Sequence, residues 1–348
     1  MRYLDIGTTK KISKIGLGTW QFGSGEWGYG EPYAERGATD VARRAVELGV
    51  TLFDTAEIYG SGRSERILGR ALGQNRADVF IATKMFPVVP SAWLVEQRAL
   101  ASAVRLGVSR LDLYQVHFPH PLVRDPPIMR GMRSLQQAGT IGEVGVSNYS
   151  LARWRSAERA LGSRILANQV EYSLVCRSPE RELLPFAQTH GRVVIAFSPL
   201  AHGLLSGRYH GGSPPGNDVR AASPLFGPEG LEHTRDLISA LREVADAHSA
   251  TPAQIALAWT IHHPAAVAIP GASSVEQMES NVAAAEITLA DDEYQALGLA
   301  SARARLPASS PAGRPRRTLG ELRHSARCAR YVASTAWSDY KLAHAPRI

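Results

Sequence analysis

An acid, a phenol, an amine and an imidazole stand at or just beyond the ends of three short apolar runs in this chain. Asp54 follows Thr51-Leu52-Phe53, Tyr59 comes five residues later, Lys84 follows the run 79–82, and His117 follows 111–116. These four residue types can make one device. A phenol has an intrinsic pKa near ~10 and is a poor acid at neutral pH. An ammonium beside it stabilises the phenolate and lowers that value. Asp54 can pair with Lys84 and hold its geometry, and His117 can orient a bound carbonyl or share the proton. The result is a proton donor of tunable pKa beside a position for an electrophile. The chain contains no P-loop and no metal-ligand cluster. Such a donor needs a second reagent, and an organic cofactor is the natural supplement. His117-Phe-Pro-His120 is not read as a metal pair, because no carboxylate or cysteine cluster accompanies it.

The elements that must position these groups form a repeating pattern. Apolar strand-like runs at 15–18, 52–53, 79–82, 111–116, 141–146, 166–170, 193–197 and 266–269 alternate with helical segments at 40–48, 64–72, 92–106, 128–138, 151–160, 181–190 and 251–263. Residues 2–6 and 11–16 flank the turn-like Gly7-Thr-Thr-Lys10 and read as a leading hairpin. Alternation of this kind predicts an α/β fold with a parallel sheet. Eight units close into a (β/α)8 TIM barrel with an N-terminal β-hairpin. A doubly wound open sheet competes, but no G-x-G-x-x-G turn follows the first strand. The strand ends carry Thr19-Trp20-Gln21, Asp54, Lys84, His117, Ser147-Asn148, Gln169-Val-Glu171, Ser198 and Pro270-Gly271. In a barrel these ends meet at one face, where active sites are built.

Two segments break the rhythm. Residues 20–32 are rich in Gly and aromatics, and 203–228 form a long Gly/Pro/Ser stretch. Both are expected as long loops folded over the C-terminal face. Trp20, Trp27, Tyr29, Phe86 and Phe118 would then ring the mouth and suit an apolar or aromatic carbonyl substrate. Cys176 has no base placed beside it and reads as a core or rim residue. A last helix is expected at 289–300, preceded by Thr288.

Composition bounds the rest. The chain has 348 residues and a formal charge of +7, but residues 301–348 carry +8 and the preceding 300 carry −1. Any electrostatic case for nucleic acid or acidic lipid therefore rests on the tail, with its Arg314-Pro-Arg-Arg317 cluster. The expected organisation is a barrel over 1–300 and a basic extension over 301–348, in which Leu319, Leu322 and Ala326 hint at one helix capped by Thr318. The two cysteines, Cys176 and Cys328, form no CxxC spacing and suggest a reducing cytosol. The N-terminus shows no apolar signal-peptide region, and no run approaches the ~20 apolar residues of a membrane span.

Eight motifs in order make the chain resemble the aldo-keto reductases from residue 1 to about 300. They are Gly16-Leu-Gly-Thr-Trp20, Asp54-Thr-Ala-x-x-Tyr59-Gly-x-Gly-x-Ser-Glu65, Ala82-Thr-Lys84, Asp112-Leu-Tyr-Gln-Val-His117, Gly145-Val-Ser-Asn148, Gln169-Val-Glu-Tyr172, Phe197-Ser-Pro-Leu200 and Ile269-Pro-Gly271. The resemblance implies a catalytic tetrad of Asp54, Tyr59, Lys84 and His117. It implies hydride transfer from a nicotinamide cofactor to a carbonyl carbon, with Tyr59 protonating the oxygen. It puts Ser147, Asn148 and Gln169 on the carboxamide, Phe197 against the nicotinamide ring, and Gly18, Thr19 and Trp20 on the near side.

At the adenosine end, many members of the family carry a basic residue where this chain has Ser273. That serine, and the motif Ser198-Pro199-Leu200-Ala-x-Gly203 with Arg208, resemble the potassium-channel β-subunit branch and its bacterial relatives. Arg208, Arg220, Gln277 and Asn281, with Gly271 and Ser273, are the expected adenosine-end contacts. NADPH is favoured, and Ser273 leaves NADH open. The partner expected is a small-molecule carbonyl substrate; a cofactor-sensing regulatory protein with little turnover is the alternative.

Overall fold

Strands β1 (Tyr3–Leu4) and β2 (Ile12–Ser13) pair antiparallel and close one end of a barrel. The computed structural model describes residues 1–304, apart from 29, 31, 32 and 213–215. Eight strands follow the hairpin in unbroken spatial order: β3 (Leu17–Gly18), β4 (Leu52–Asp54), β5 (Phe80–Met85), β6 (Leu111–Val116), β7 (Ile141–Ser147), β8 (Ala167–Glu171), β9 (Val193–Phe197) and β10 (Ala266–Ala268). Every pair is parallel. The sheet closes through a parallel bridge between Ile15 and Ala268. The Gly16 N–H donates to the Ala268 carbonyl at 2.8 Å and the Gly18 N–H to the Pro270 carbonyl at 3.1 Å. The fold is a (β/α)8 barrel.

Its helices are α1 (Ala38–Glu47), α2 (Arg63–Leu72), α3 (Ala92–Leu106), α4 (Pro126–Gln137), α5 (Leu151–Leu161), α6 (Leu183–Thr189), α7 (Asp218–Ala221), α8 (Pro228–Ala247), α9 (Pro252–His262), α10 (Val275–Ala283) and α11 (Asp291–Arg303). Local chemistry sets their ends. Ser91 and Ser150 cap α3 and α5 by accepting the N–H of Leu94 and Arg153. Gly107 and Gly162 end the same helices in the left-handed region, which costs glycine no Cβ clash. Two apolar layers result. Inside the barrel, Leu52, Phe80, Leu113, Ile195 and Val267 pack with Ile6 and Ile12 of the hairpin segment, which therefore acts as a plug. Outside, the second layer lies between strands and helices and includes Trp154 and Trp259, both fully buried.

Several elements differ from the sequence reading. The third strand of the barrel runs on to Met85, so Lys84 lies within β5, and β4 likewise includes Asp54. Strand β3 is only Leu17–Gly18. The stretch 203–228 is not one open loop among its described residues: it contains short 3-10 turns and α7. The twenty-residue α8 was not assigned from sequence, although Thr234, Leu237, Ile238, Leu241 and Ala245 bury one stripe at helical spacing. The last helix starts at Asp291, not after Thr288, because Asp291, Asp292 and Glu293 occupy its first turn, where acids suit the helix dipole. The tail features at 314–326 and Cys328 lie outside the described residues.

Candidate active site

Successive parallel strands bring three of the four candidate groups to one end of the barrel, and the loop after β4 adds Tyr59. The Lys84 ammonium donates to Asp54 Oδ1 at 2.6 Å, to the Thr55 carbonyl at 2.8 Å and to the Tyr59 hydroxyl at 3.3 Å. Lys84 is fully buried and Asp54 is 2% exposed. The His117 ring meets the Tyr59 ring edge-on, with centroids 5.8 Å apart. Register explains the grouping: Asp54 pairs with Ala82, and Lys84 pairs with Gln115, so the ends of β4, β5 and β6 stay level.

The electrostatics correct one expectation. Burial is the largest influence on Tyr59 and lifts its pKa above the ordinary phenol value; the Asp54 charge adds to the rise, and the Lys84 ammonium opposes it. The side chain is only half-buried, so solvent screening trims the rise. The net direction is still up, not down as the Lys84 contact alone suggests, and Tyr59 is a protonated phenol at neutral pH. For Lys84, burial works against the charge, but Asp54 and Tyr59 outweigh it and hold the ammonium above its ordinary value.

The groups expected to hold a nicotinamide fall in two sets. Asn148 takes a left-handed backbone (φ 62°) and donates to the His117 carbonyl at 3.2 Å and to Ser147 Oγ at 3.0 Å. Phe197 ends β9, half-buried above the inner core. Gly18 sits where a Cβ would lie 2.7 Å from the Ile269 carbonyl, so only glycine lets β3 close on the end of β10. Two residues of this group are also engaged within the protein. Gln169 donates to Asp54 Oδ2 at 2.7 Å, because the buried carboxylate is the strongest acceptor within its reach. Thr19 is fully buried, with its hydroxyl on the Asp54 carbonyl at 2.9 Å and on Ser64 Oγ at 2.7 Å. These bonds fix the loop that follows β3. Gln115, which sequence reasoning overlooked, also reaches Asp54, at 3.4 Å. Its signal was its place two residues before His117, since alternate strand residues share a face.

The two long segments meet over this end. The Trp20 ring stacks near Tyr59 (6.3 Å) and meets Trp27 edge-on at 5.1 Å. Phe118 lies parallel to His117 at 4.8 Å, and Phe86 meets both edge-on. Tyr29 lies outside the described residues. His120 turns away from any metal role: its Nδ1 accepts the N–H groups of Leu122 and Val123. Cys176 is half-buried, and burial pushes its thiol up to about 11, consistent with an unreactive rim residue.

After β9 the backbone turns through a run of left-handed residues at Ser198, Ala201, His202 and Gly203. Such turns form concave, anion-accepting backbone, and strain of this kind gathers at functional sites. Arg220 donates to the His202 carbonyl at 2.7 Å and places its guanidinium 5.6 Å from the Trp27 ring and 5.7 Å from the Tyr209 ring. Arg208 is exposed, and its guanidinium bonds no described residue. His202 was missed by sequence. Its Nε2 lies 3.1 Å from Ser198 Oγ, its buried Nδ1 has no partner among the described residues, and burial beside Arg220 depresses its pKa to about 4. In the same turn, Pro199 is buried and Leu200 packs on the outer core. Ser273 and Gln277 bond each other at the start of α10, and Asn281 holds the Gly271 carbonyl at 3.3 Å. This donor set fits a nicotinamide nucleotide: amides and hydroxyls lie beside Asp54 and His117, and the left-handed turn after β9 is bonded by Arg220.

A closed barrel with a phenol, an ammonium, a carboxylate and an imidazole gathered at its strand ends defines a barrel oxidoreductase. The chain belongs to the aldo/keto reductase family, whose sequence model matches residues 14–300. It is 55% identical over 297 residues to an oxidoreductase of Mycobacterium tuberculosis, covering 85% of this chain and 92% of that one. It is 33% identical over 300 residues to a putative voltage-gated potassium channel β subunit of Schizosaccharomyces pombe, covering 79% and 85%. A crystal structure of an aldo/keto reductase from Klebsiella pneumoniae in complex with NADP and acetate matches with a TM-score of 0.68 at 29% identity, covering 85% of this chain and 93% of that one. Among the described residues, no helix is long and apolar enough to cross a membrane.

Proposed function

We propose that this protein reduces an aldehyde or ketone to the alcohol with NADPH, and that Tyr59 is the general acid. The observation that carries the reading is the chain of contacts from Asp54 through Lys84 to Tyr59, at 2.6 and 3.3 Å, under the edge of His117. The cofactor, when bound, supplies the hydride that reduces the carbonyl carbon. Ser147, Asn148 and Phe197 would hold its nicotinamide end, with Gly18 and Trp20 on the near side. Gln169, engaged with Asp54 through its amide N–H, keeps its carbonyl oxygen for the carboxamide. Ser198, Pro199, Leu200 and Gly203 would line the nucleotide after β9, and Arg208, Arg220, Gly271, Ser273, Gln277 and Asn281 would hold its adenosine end, the two arginines through phosphate. The NADP complex of the Klebsiella relative supports the choice of cofactor.

The chain's own groups handle the proton. Tyr59, protonated at neutral pH, gives its hydroxyl hydrogen to the carbonyl oxygen as negative charge builds there. Lys84 stabilises the phenolate left behind, and Asp54 keeps that ammonium charged and in place. His117, 7% exposed, orients the carbonyl. The Trp20, Trp27, Phe86 and Phe118 rings favour a substrate with an apolar or aromatic body.

The test is NADPH oxidation with 4-nitrobenzaldehyde, comparing wild type with Tyr59→Phe. The variant should lose about 10²–10⁴-fold in kcat while binding NADPH as wild type does. Binding without turnover in either protein would instead favour a cofactor-sensing role, as the resemblance to a channel β subunit allows.

A further inference from the structure

Behind the site lie two buried ion pairs that the chemistry above does not use. Glu57, two residues before Tyr59, receives Arg98 in a forked contact, with Nε at 3.0 and 2.9 Å from the two carboxylate oxygens and Nη2 also on Oε1. Glu65, six residues after Tyr59, receives Arg105 Nε at 2.5 Å. Glu57, Glu65 and Arg98 are buried, and the Arg105 side chain is 8% exposed. The two arginines stand seven residues apart on α3, two turns along one face, so a single rigid helix grips both ends of the segment that carries Tyr59.

The same carboxylates hold the strand that carries Lys84. Thr83, the residue before it, donates its hydroxyl to Glu65 Oε1 at 2.6 Å. Phe86, two residues after it, donates its N–H to Glu57 Oε1. The Glu57 N–H in turn donates to the Lys84 carbonyl at 3.2 Å. Each glutamate therefore joins the Tyr59 segment to β5 on one side of Lys84. Burying charge in this way is a poor route to stability. Burial is the largest influence on Glu57 and leaves its carboxyl above the usual range despite Arg98. What forked pairs on a rigid helix supply is geometry.

We infer that the Glu57–Arg98 pair, with Glu65–Arg105 as the second attachment, is a positioning device that sets the separation between the Tyr59 hydroxyl and the Lys84 ammonium. The inference rests on the reading of Tyr59 as proton donor. None of the four residues touches the reacting atoms; they act through the two that do.

The double variant Glu57→Gln/Arg98→Met tests this, because removing one partner alone strands a buried charge. Expected is a kcat loss between about tenfold and 10²-fold, the scale of an ångström-sized misplacement. KM and the NADPH dissociation constant should move by less than about threefold, as for a group that acts only on the chemical step. The second readout needs no turnover: the Tyr59 phenol is titrated by NMR on protein labelled with ¹³Cζ-tyrosine, with Tyr59→Phe assigning its signal. It should titrate at higher pH in the double variant, since Lys84 no longer stabilises the phenolate as closely. Wild-type kcat together with an unmoved titration would overturn the inference. If the double variant does not fold, Arg98→Lys decides, because it keeps the charge but loses the fork. A smaller kcat loss with the same direction of titration shift supports the inference, and no change in either overturns it. A Tyr59→Phe protein as fast as wild type would defeat the donor assignment instead, and the NMR titration would still judge the pair.

Discussion

Replacing Asp54 by Asn tests the buried pair at the centre of the site. The substitution keeps the shape of the side chain but removes the charge that faces Lys84 at 2.6 Å, in a place where the lysine is fully buried. It also presents an NH2 where Asp54 Oδ2 now accepts Gln169 at 2.7 Å, or else turns that NH2 toward Lys84, so one donor loses its acceptor either way. At an effective dielectric near 20 the gross attraction at this distance is about 6 kcal/mol. Breaking a buried pair by removing one partner costs about 3–5 kcal/mol net. For a domain of about 300 residues that corresponds to a fall in Tm of about 5–8 °C.

The pH dependence sharpens the test. In the wild type the folded pKa of Lys84 lies above its ordinary 10.5, so the pair's stability is fully present below that value and is lost only as pH rises through the folded one. In Asp54→Asn the largest remaining influence is burial, which drives the folded pKa down. Between that lowered value and 10.5 the unfolded chain binds the extra proton, and the variant becomes more stable as pH rises. The gap between the two proteins should therefore shrink with pH, by at most about 1.4 kcal/mol per unit. Urea unfolding from pH 6 to pH 9.5 measures the gap. A cost below about 1 kcal/mol at pH 7, or a gap flat across that range, would refute the reasoning. The double variant Asp54→Asn/Lys84→Met should regain much of the loss, since no unpaired charge remains.

Three further outcomes are expected. His202 is neutral in the fold with a pKa of about 4, so the unfolded chain takes up its proton first; stability should fall as pH drops from 6.5 toward 4, by up to about 3 kcal/mol, and His202→Gln should flatten that part of the urea-unfolding profile. Gly18→Ala puts a Cβ 2.7 Å from the Ile269 carbonyl and must part β3 from β10; calorimetry should show a loss of about 1–3 kcal/mol, and an unchanged transition would mean the seam yields freely. Truncation after Ala304 keeps α11, whose Leu297 is buried, and should leave both the Tm and the reductase rate at wild-type values; a rate lost on truncation would bring residues 305–348 into the site and end the proposed division into barrel and extension.

The barrel was legible because its signals are local and repeated. Apolar runs of strand length alternate with helical segments, and nearly every strand end carries a polar residue whatever the neighbouring unit does. The four central residues were legible for the same reason, each lying at or near the end of such a run. Segment 203–247 was harder to read. Its glycines and prolines advertise a loop, while the burial stripe of α8 takes meaning only once there is a barrel to pack against.

By itself the sequence determined the order of elements, the closed parallel sheet they form and the chemical types that reach its rim. Only the tertiary structure decided what those groups do to one another. Two residues make the point: Gln169 and Asp54 are 115 positions apart, and the hydrogen bond between them exists because β4 and β8 point into one barrel end. The Tyr59 pKa is raised although a lysine touches it, because desolvation depends on everything packed around the phenol and not on one neighbour. The grip of Arg98 and Arg105 on Glu57 and Glu65 was invisible for the same reason. Contacts across 40 residues of sequence leave no period in the chain, and burial, which makes them strong, is a property of the folded whole.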